Sequence, residues 1–233
     1  MIWTQFPDYE SLSSDAANRM LAAVRENPSM VLGLPTGRTP VGMYQRVVEQ
    51  CGSQYHCFQN VSTFNLDEYV GIPREHPGSY LTFMKKHLFD AIDIRPSNAH
   101  VPDGSRADLQ AECAAYEGFI SAAGGLGLTF LGLGSNGHIA FNEPGTSFAS
   151  RTRVVTLTDS TRAANAALFP DGRVPTHSIT MGIATIMESR EIVLMASGAA
   201  KQPAIDRLRS GVISEDFPAS ALWGHPRVTV LVA

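Results

Sequence analysis

Leu126-Gly-Leu-Thr-Phe-Leu-Gly-Leu133 is apolar along nearly its whole length. A strand with one face in water alternates apolar and polar residues. One that does not alternate is covered on both faces, as inside a parallel sheet. Glu191-Ile-Val-Leu-Met-Ala196 and Arg227-Val-Thr-Val-Leu-Val232 repeat this type, and Met30–Leu34 and Val61–Leu66 are shorter strands upstream. Helical stretches separate them. Asp8 to Arg25 keeps Leu12, Ala16, Met20 and Ala23 near one face, and Pro40 to Val48 starts on proline, which suits a helix's first turn. Ser79 to Phe89, Arg106 to Ala122 and about Ala199 to Arg209 read as further helices. Strands alternating with helices predict the α/β class: one doubly wound, Rossmann-like domain over residues 1–233 with a mostly parallel central sheet.

The composition allows this. At 233 residues the chain buries roughly three quarters of its unfolded surface and needs neither disulfide nor metal to fold. Its 17% charged and 44% apolar residues are ordinary for a globular protein. A net charge of −4 argues against nucleic-acid binding, which needs a basic face. Cys51, Cys57 and Cys113 are odd in number, match no zinc spacing, and read as reduced thiols. The N-terminus has neither a basic nor an apolar leader region. No apolar run approaches the ~20 residues of a membrane span. The expectation is a cytoplasmic protein with no membrane or nucleic-acid partner.

In a doubly wound sheet, ligands bind beyond the carboxyl ends of the strands. Three post-strand segments are rich in Gly, Pro, Asn and acidic residues: Pro35–Pro40, Asp67–Ser79 and Gly134–Gly145. In the first, Thr36, Gly37, Arg38 and Thr39 lead into a helix, and helix amides plus hydroxyls make an anion site. A plain strand–turn–helix uses similar residues, and neither a Gly-Lys-Ser/Thr ending nor a dinucleotide fingerprint is present. In the second, Asp67 and Glu68 suit helix capping or solvated charge as well as a general base at the sheet edge. In the third, His138 lies five residues before Glu143 in a glycine-rich turn. A carboxylate on such a histidine fixes its tautomer and raises its basicity. A structural loop histidine is the plain alternative, and a metal site lacks an evident third ligand. His56, His87, His100 and His225 read as surface or packing residues, with His76 and His177 kept as weaker site candidates.

Together, Leu34-Pro-Thr-Gly-Arg-Thr-Pro40, Phe64-Asn-Leu-Asp-Glu-Tyr-Val-Gly71 and Asn136-Gly-His-Ile-Ala-Phe-Asn-Glu-Pro144 resemble the glucosamine-6-phosphate deaminase (isomerase) family. Ser150-Arg-Thr-Arg153 and Ser214–Ala221 fit as well, so the likeness runs from about Val31 to the C-terminus. The first motif is shared more loosely with relatives such as 6-phosphogluconolactonase. The resemblance implies an isomerisation coupled to deamination: glucosamine 6-phosphate plus water gives fructose 6-phosphate plus ammonia, with no metal or organic cofactor. It further implies that His138 opens the sugar ring, that Asn136 and Glu143 orient it, and that Asp67 removes the C2 proton. Glu68 is expected to be structural. Thr36, Gly37, Arg38 and Thr39 are expected to hold the phosphate, with Lys201 as counter-charge.

The chain departs from the family in places. Asn136 stands where some members carry aspartate. Arg38 replaces a usually small residue, and Ala167 stands where many members have a phosphate-binding arginine, which suggests that Arg38 supplies the missing guanidinium. The rival is that Arg38 is a surface side chain and Arg162 or Lys201 suffices. The chain stops after Val230-Leu-Val-Ala233, and Val155 replaces a lysine tied to activation by N-acetylglucosamine 6-phosphate, so no such activation is expected. Galactosamine 6-phosphate as substrate, a lactonase activity and a non-catalytic sugar-phosphate sensor are the other readings. Oligomeric state is open.

Overall fold

A computed structural model describes residues 1–51, 57–169 and 172–233; His56 lies outside them. In chain order the elements are β1 (Ile2–Gln5), α1 (Tyr9–Glu26), β2 (Val31–Leu34), α2 (Val41–Cys51), β3 (Ser62–Asn65) and β4 (Asp67–Tyr69). There follow α3 (Tyr80–His87), β5 (Ala99–His100), α4 (Leu109–Ala122), β6 (Leu128–Gly132), β7 (Arg153–Thr156) and α5 (Asp159–Asn165). The last are β8 (His177–Thr180), α6 (Ile183–Met187), β9 (Glu191–Ala196), α7 (Gln202–Arg209) and β10 (Val228–Val232).

The central sheet has seven strands in the order β1-β10-β9-β6-β2-β3-β5, and every pairing is parallel. The apolar run Leu126–Leu133 supplies β6, the middle strand. Its alternate residues serve opposite layers. Phe130 packs with Met20, Tyr44 and Met84 of α1, α2 and α3, and Leu131 packs with Tyr116 of α4 and Leu208 of α7. Burying each such side chain stabilises the fold by about 1.5–3 kcal/mol, and the strand's one polar side chain, Thr129, is buried against the Ser189 hydroxyl at 2.8 Å.

Helix ends follow local capping. Asp8 accepts from the Ser11 amide at 2.8 Å and starts α1, and Ser79 accepts from the Thr82 amide at 3.0 Å and starts α3. Asp108, accepting from the Gln110 and Ala111 amides, starts α4 later than the expected Arg106. A 3₁₀ turn over Ala199–Lys201 precedes α7.

Asp67–Ser79, expected as a loop, opens instead with β4. This strand belongs to a second, three-stranded sheet, β4-β8-β7, with antiparallel pairings. Two adjacent acids have low strand propensity, and the pairing of Asp67 with Thr180 comes from residues far along the chain. No described helix is long and apolar enough to cross a membrane.

The winding sets the site. From β2 the chain moves outward through β3 to β5, then returns to β6 on the other side of β2. The winding reverses between β2 and β6, so the loops after these strands part and leave a crevice at their carboxyl ends.

Candidate active site

A cavity of about 620 Å³ occupies that crevice. Thr36, Gly37, Arg38 and Thr39 line one side, Asp67 and Lys201 contribute from other elements, and Asn136 and His138 come from the loop after β6. Glu143 lies behind Asn136.

The first loop is held from outside. The Tyr9 hydroxyl of α1 accepts from the Gly42 amide at 2.8 Å and donates to the Thr39 carbonyl at 3.0 Å, and the Tyr44 hydroxyl donates to the Pro35 carbonyl at 2.6 Å. Gly37 has φ +95°, a left-handed conformation that side chains disfavour. The loop thus presents backbone and hydroxyls at the start of α2, where the helix dipole favours an anion. Two cations reach the same cavity. Burial first, and the neighbouring Arg38 charge second, push the Lys201 ammonium below its usual pKa. Neither Arg38 nor Lys201 makes an ion pair among the described residues, so an anion between them relieves their repulsion and offsets the burial of Lys201. Ala167 shares this cavity. Arg162 does not: it turns to Asp159 at 3.4 Å and to the Val174 carbonyl at 3.4 Å.

Asp67 begins β4 and is only 6% exposed. Burial, and then the adjacent Glu68 charge, hold its carboxyl well above the usual range. A carboxylate kept out of water with no cation against it is a strong base. Glu68 faces elsewhere, accepting from the Tyr69, Tyr80 and Leu81 amides at 2.8, 3.0 and 3.1 Å. It satisfies the first turn of α3, while burial keeps its pKa at about 7 despite those donors.

His138 is wired through an amide. Its Nδ1 lies 2.8 Å from Asn136 Oδ1, and Asn136 Nδ2 donates to Glu143 Oε2 at 2.6 Å. Glu143 itself is 3.8 Å from the imidazole. Because Nδ1–H donates to the amide oxygen, Nε2 is left as the basic nitrogen. Burial lowers the His138 pKa; Glu143 opposes that shift and Lys201 adds to it. Glu143 is held in turn by the Thr161 hydroxyl and, at 3.4 Å, by that of Thr158. Thr158 is the N-cap of α5, accepting from the Thr161 amide at 3.2 Å.

Phe217 shapes this turn. Gly137 has φ +88°, and a Cβ there would lie 2.1 Å from the Phe217 ring. Gly137→Ala is therefore expected to destabilise the fold by about 2–4 kcal/mol. At Gly118, within α4, a Cβ meets nothing within 4 Å, and the same change is expected to stabilise by about 0.5–1 kcal/mol. Urea midpoints of the two variants, shifting in opposite directions, check both.

Of the other histidines, His76 and His177 stand off the cavity wall. His76 Nδ1 accepts from the Gly78 amide at 2.9 Å and its ring stacks 5.5 Å from Phe169. His177 is exposed, with its Nδ1 2.9 Å from the Thr176 hydroxyl. His100 stacks on Phe64 at 4.5 Å, and buried His225 sits 2.7 Å from the Ser189 carbonyl. His87, read as a surface or packing residue, lines the cavity beside Lys86, with its ring 4.5 Å from Phe83. Thr158 and Thr161 were not singled out from sequence, although Thr158-Asp159 is a helix-start signal that marks the turn. Among the described residues no cluster of three or more His, Cys, Asp or Glu could hold a metal.

Residues 8–231 match the family described as glucosamine-6-phosphate isomerases/6-phosphogluconolactonases. A glucosamine-6-phosphate deaminase of Lysinibacillus sphaericus is 51% identical over 232 residues, 99% of this chain and 98% of the relative. Glucosamine-6-phosphate deaminase 1 of Bacillus subtilis is 48% identical, covering 96% of this chain and 93% of its own. The solved structure of a monomeric glucosamine-6-phosphate deaminase superposes with a TM-score of 0.97 at 47% identity, covering 100% of this chain and 97% of that one. A 6-phosphogluconolactonase of Thermotoga maritima, 20% identical with a TM-score of 0.78 over 99% of this chain and 98% of its own, shares the fold.

Proposed function

This chain belongs to the family of glucosamine-6-phosphate isomerases and 6-phosphogluconolactonases, and we propose that it converts glucosamine 6-phosphate and water to fructose 6-phosphate and ammonia. The net reaction is hydrolysis of a carbon–nitrogen bond. The observation that carries this reading is one cavity holding a desolvated carboxylate, an oriented neutral imidazole and two cations that make no ion pair among the described residues.

The phosphate binds Thr36, Gly37, Arg38 and Thr39 at the start of α2, with Lys201 closing the charge. His138 Nε2 takes the proton from O1 and delivers it to the ring oxygen, which opens the pyranose. Asn136 fixes the tautomer and Glu143 stabilises the transient imidazolium. Asp67 then removes the C2 proton, giving an enolamine, and returns a proton at C1. The resulting C2 imine adds water and expels ammonia, so the atoms balance without an added oxidant or reductant. The three unbridged cysteines fit a cytoplasmic enzyme.

A substrate deuterated at C2 tests this directly. It is expected to react more slowly than the unlabelled sugar and to pass part of its label to C1 of the ketose. Equal rates, with no label at C1 and no exchange of the C2 label with solvent, would rule out the proton transfer.

Arg38 takes the place of the guanidinium that Ala167 cannot supply. A charge-assisted phosphate bond contributes about 1.5–3 kcal/mol, and the exposure of Arg38 argues for the lower end. Arg38→Gly is expected to raise KM for the phosphorylated sugar about tenfold with kcat little changed. An unchanged KM would mean that Lys201 and the loop amides suffice.

A further inference from the structure

The proposed chemistry makes no use of the cysteines, yet two of them are paired in space. Cys51 closes α2 and Cys57 precedes β3, with their Sγ atoms 3.5 Å apart. A disulfide needs about 2.05 Å, so closure asks for a relative shift of about 1.5 Å. The two thiols differ in setting. Cys51 is buried, and burial together with its sulfur neighbour pushes its thiol up to about 12. Cys57 is partly exposed and lines a second cavity, of about 240 Å³, with Val24, Arg25 and Pro28. That cavity admits a small oxidant beside the Arg25 cation. Cys113 is buried on α4, where burial and then Glu112 raise its thiol.

We propose that Cys57 and Cys51 form a peroxide-responsive thiol pair, Cys57 as the attacked sulfur and Cys51 as the resolving one. The Cys57 thiolate attacks a peroxide oxygen, the O–O bond breaks, and hydroxide leaves a sulfenic acid on Cys57. Cys51 then attacks that sulfur and water departs. In total, two thiols and one hydrogen peroxide give one disulfide and two waters, and a dithiol reductant reverses the bond. The bond ties the end of α2, whose first turn carries the anion loop, to the segment entering β3, whose far end leads to Asp67.

The test is graded hydrogen peroxide on the whole native protein, followed by peptide mass mapping and capture of sulfenic acid with a cyclic diketone. The expected results are a Cys51–Cys57 crosslinked peptide lacking two hydrogens, a reduced Cys113, and recovery with dithiothreitol. Cys51→Ser is expected to accumulate diketone adduct on Cys57. Oxidation of Cys113 first, both thiols surviving peroxide that oxidises methionine, or a persistent Cys57 sulfenic acid in the unmutated protein would each overturn the proposal.

Discussion

Asp67→Asn is expected to lower kcat for deamination by about 10²–10⁴-fold, since it removes the proposed base while keeping its shape. KM should change little, because the loop at Thr36–Thr39 is untouched. The same change is expected to raise the melting temperature. The folded-state pKa of Asp67 lies well above 3.8, so the native state penalises the charged form. The unfolded chain then binds fewer protons than the native one above pH 3.8, and stability falls as pH rises from there through the folded pKa. An asparagine carries no such penalty, so the gain should be present at neutral pH and vanish below pH 3.8. Activity is expected to run the opposite way, since the base proposed at Asp67 works only when ionised. The acidic limb of kcat/KM should therefore lie above the ordinary carboxylate range. A paired set of melting curves and pH–rate profiles checks both, and a variant that is less stable yet active would count against Asp67 as a buried base.

His138→Gln is expected to fail differently. It leaves Asp67 and the anion loop intact but removes the group proposed to open the ring, so kcat should fall by about 10²–10³-fold. The residual rate should no longer scale with enzyme. Once enzyme is abundant, spontaneous ring opening supplies the open-chain sugar and limits turnover, so the rate should level off. A rate that stays proportional to enzyme concentration would mean that His138 does something other than open the ring. Thr161→Val acts one step further out. It withdraws a donor from Glu143, and its effect should appear as a displaced pH profile, with Thr161→Ser restoring the original.

The parts legible from sequence were those that local pattern alone determines. Leu126–Leu133 announced a strand covered on both faces because none of its face positions is charged, and it forms the middle of the sheet. The loops after β2 and β6 were legible because glycine, proline and asparagine cluster where a strand stops. Asp67–Tyr69 was not, since two acids become a strand only through a partner more than a hundred positions away, at Ser178–Thr180. β1 lies at the sheet edge with Ile2 67% exposed, and it shows neither alternation nor a buried run. Spacing put Glu143 on His138; the fold instead inserts Asn136 between them. Spacing carries no information on which of two nearby polar groups reaches the ring first. His87 and Lys86 line the cavity from α3, whose start Glu68 holds by contacts across twelve and thirteen positions, a placement that local pattern does not show.

Whether this cavity deaminates a phosphorylated amino sugar is decided by ammonia release from glucosamine 6-phosphate, galactosamine 6-phosphate and unphosphorylated glucosamine, measured side by side with hydrolysis of 6-phosphogluconolactone as the counter-assay. Ammonia and fructose 6-phosphate are expected from glucosamine 6-phosphate, with kcat/KM well above that for the galacto epimer and little release from the sugar lacking phosphate. No ammonia from glucosamine 6-phosphate alongside rapid lactone hydrolysis would make the chain a lactonase and not a deaminase.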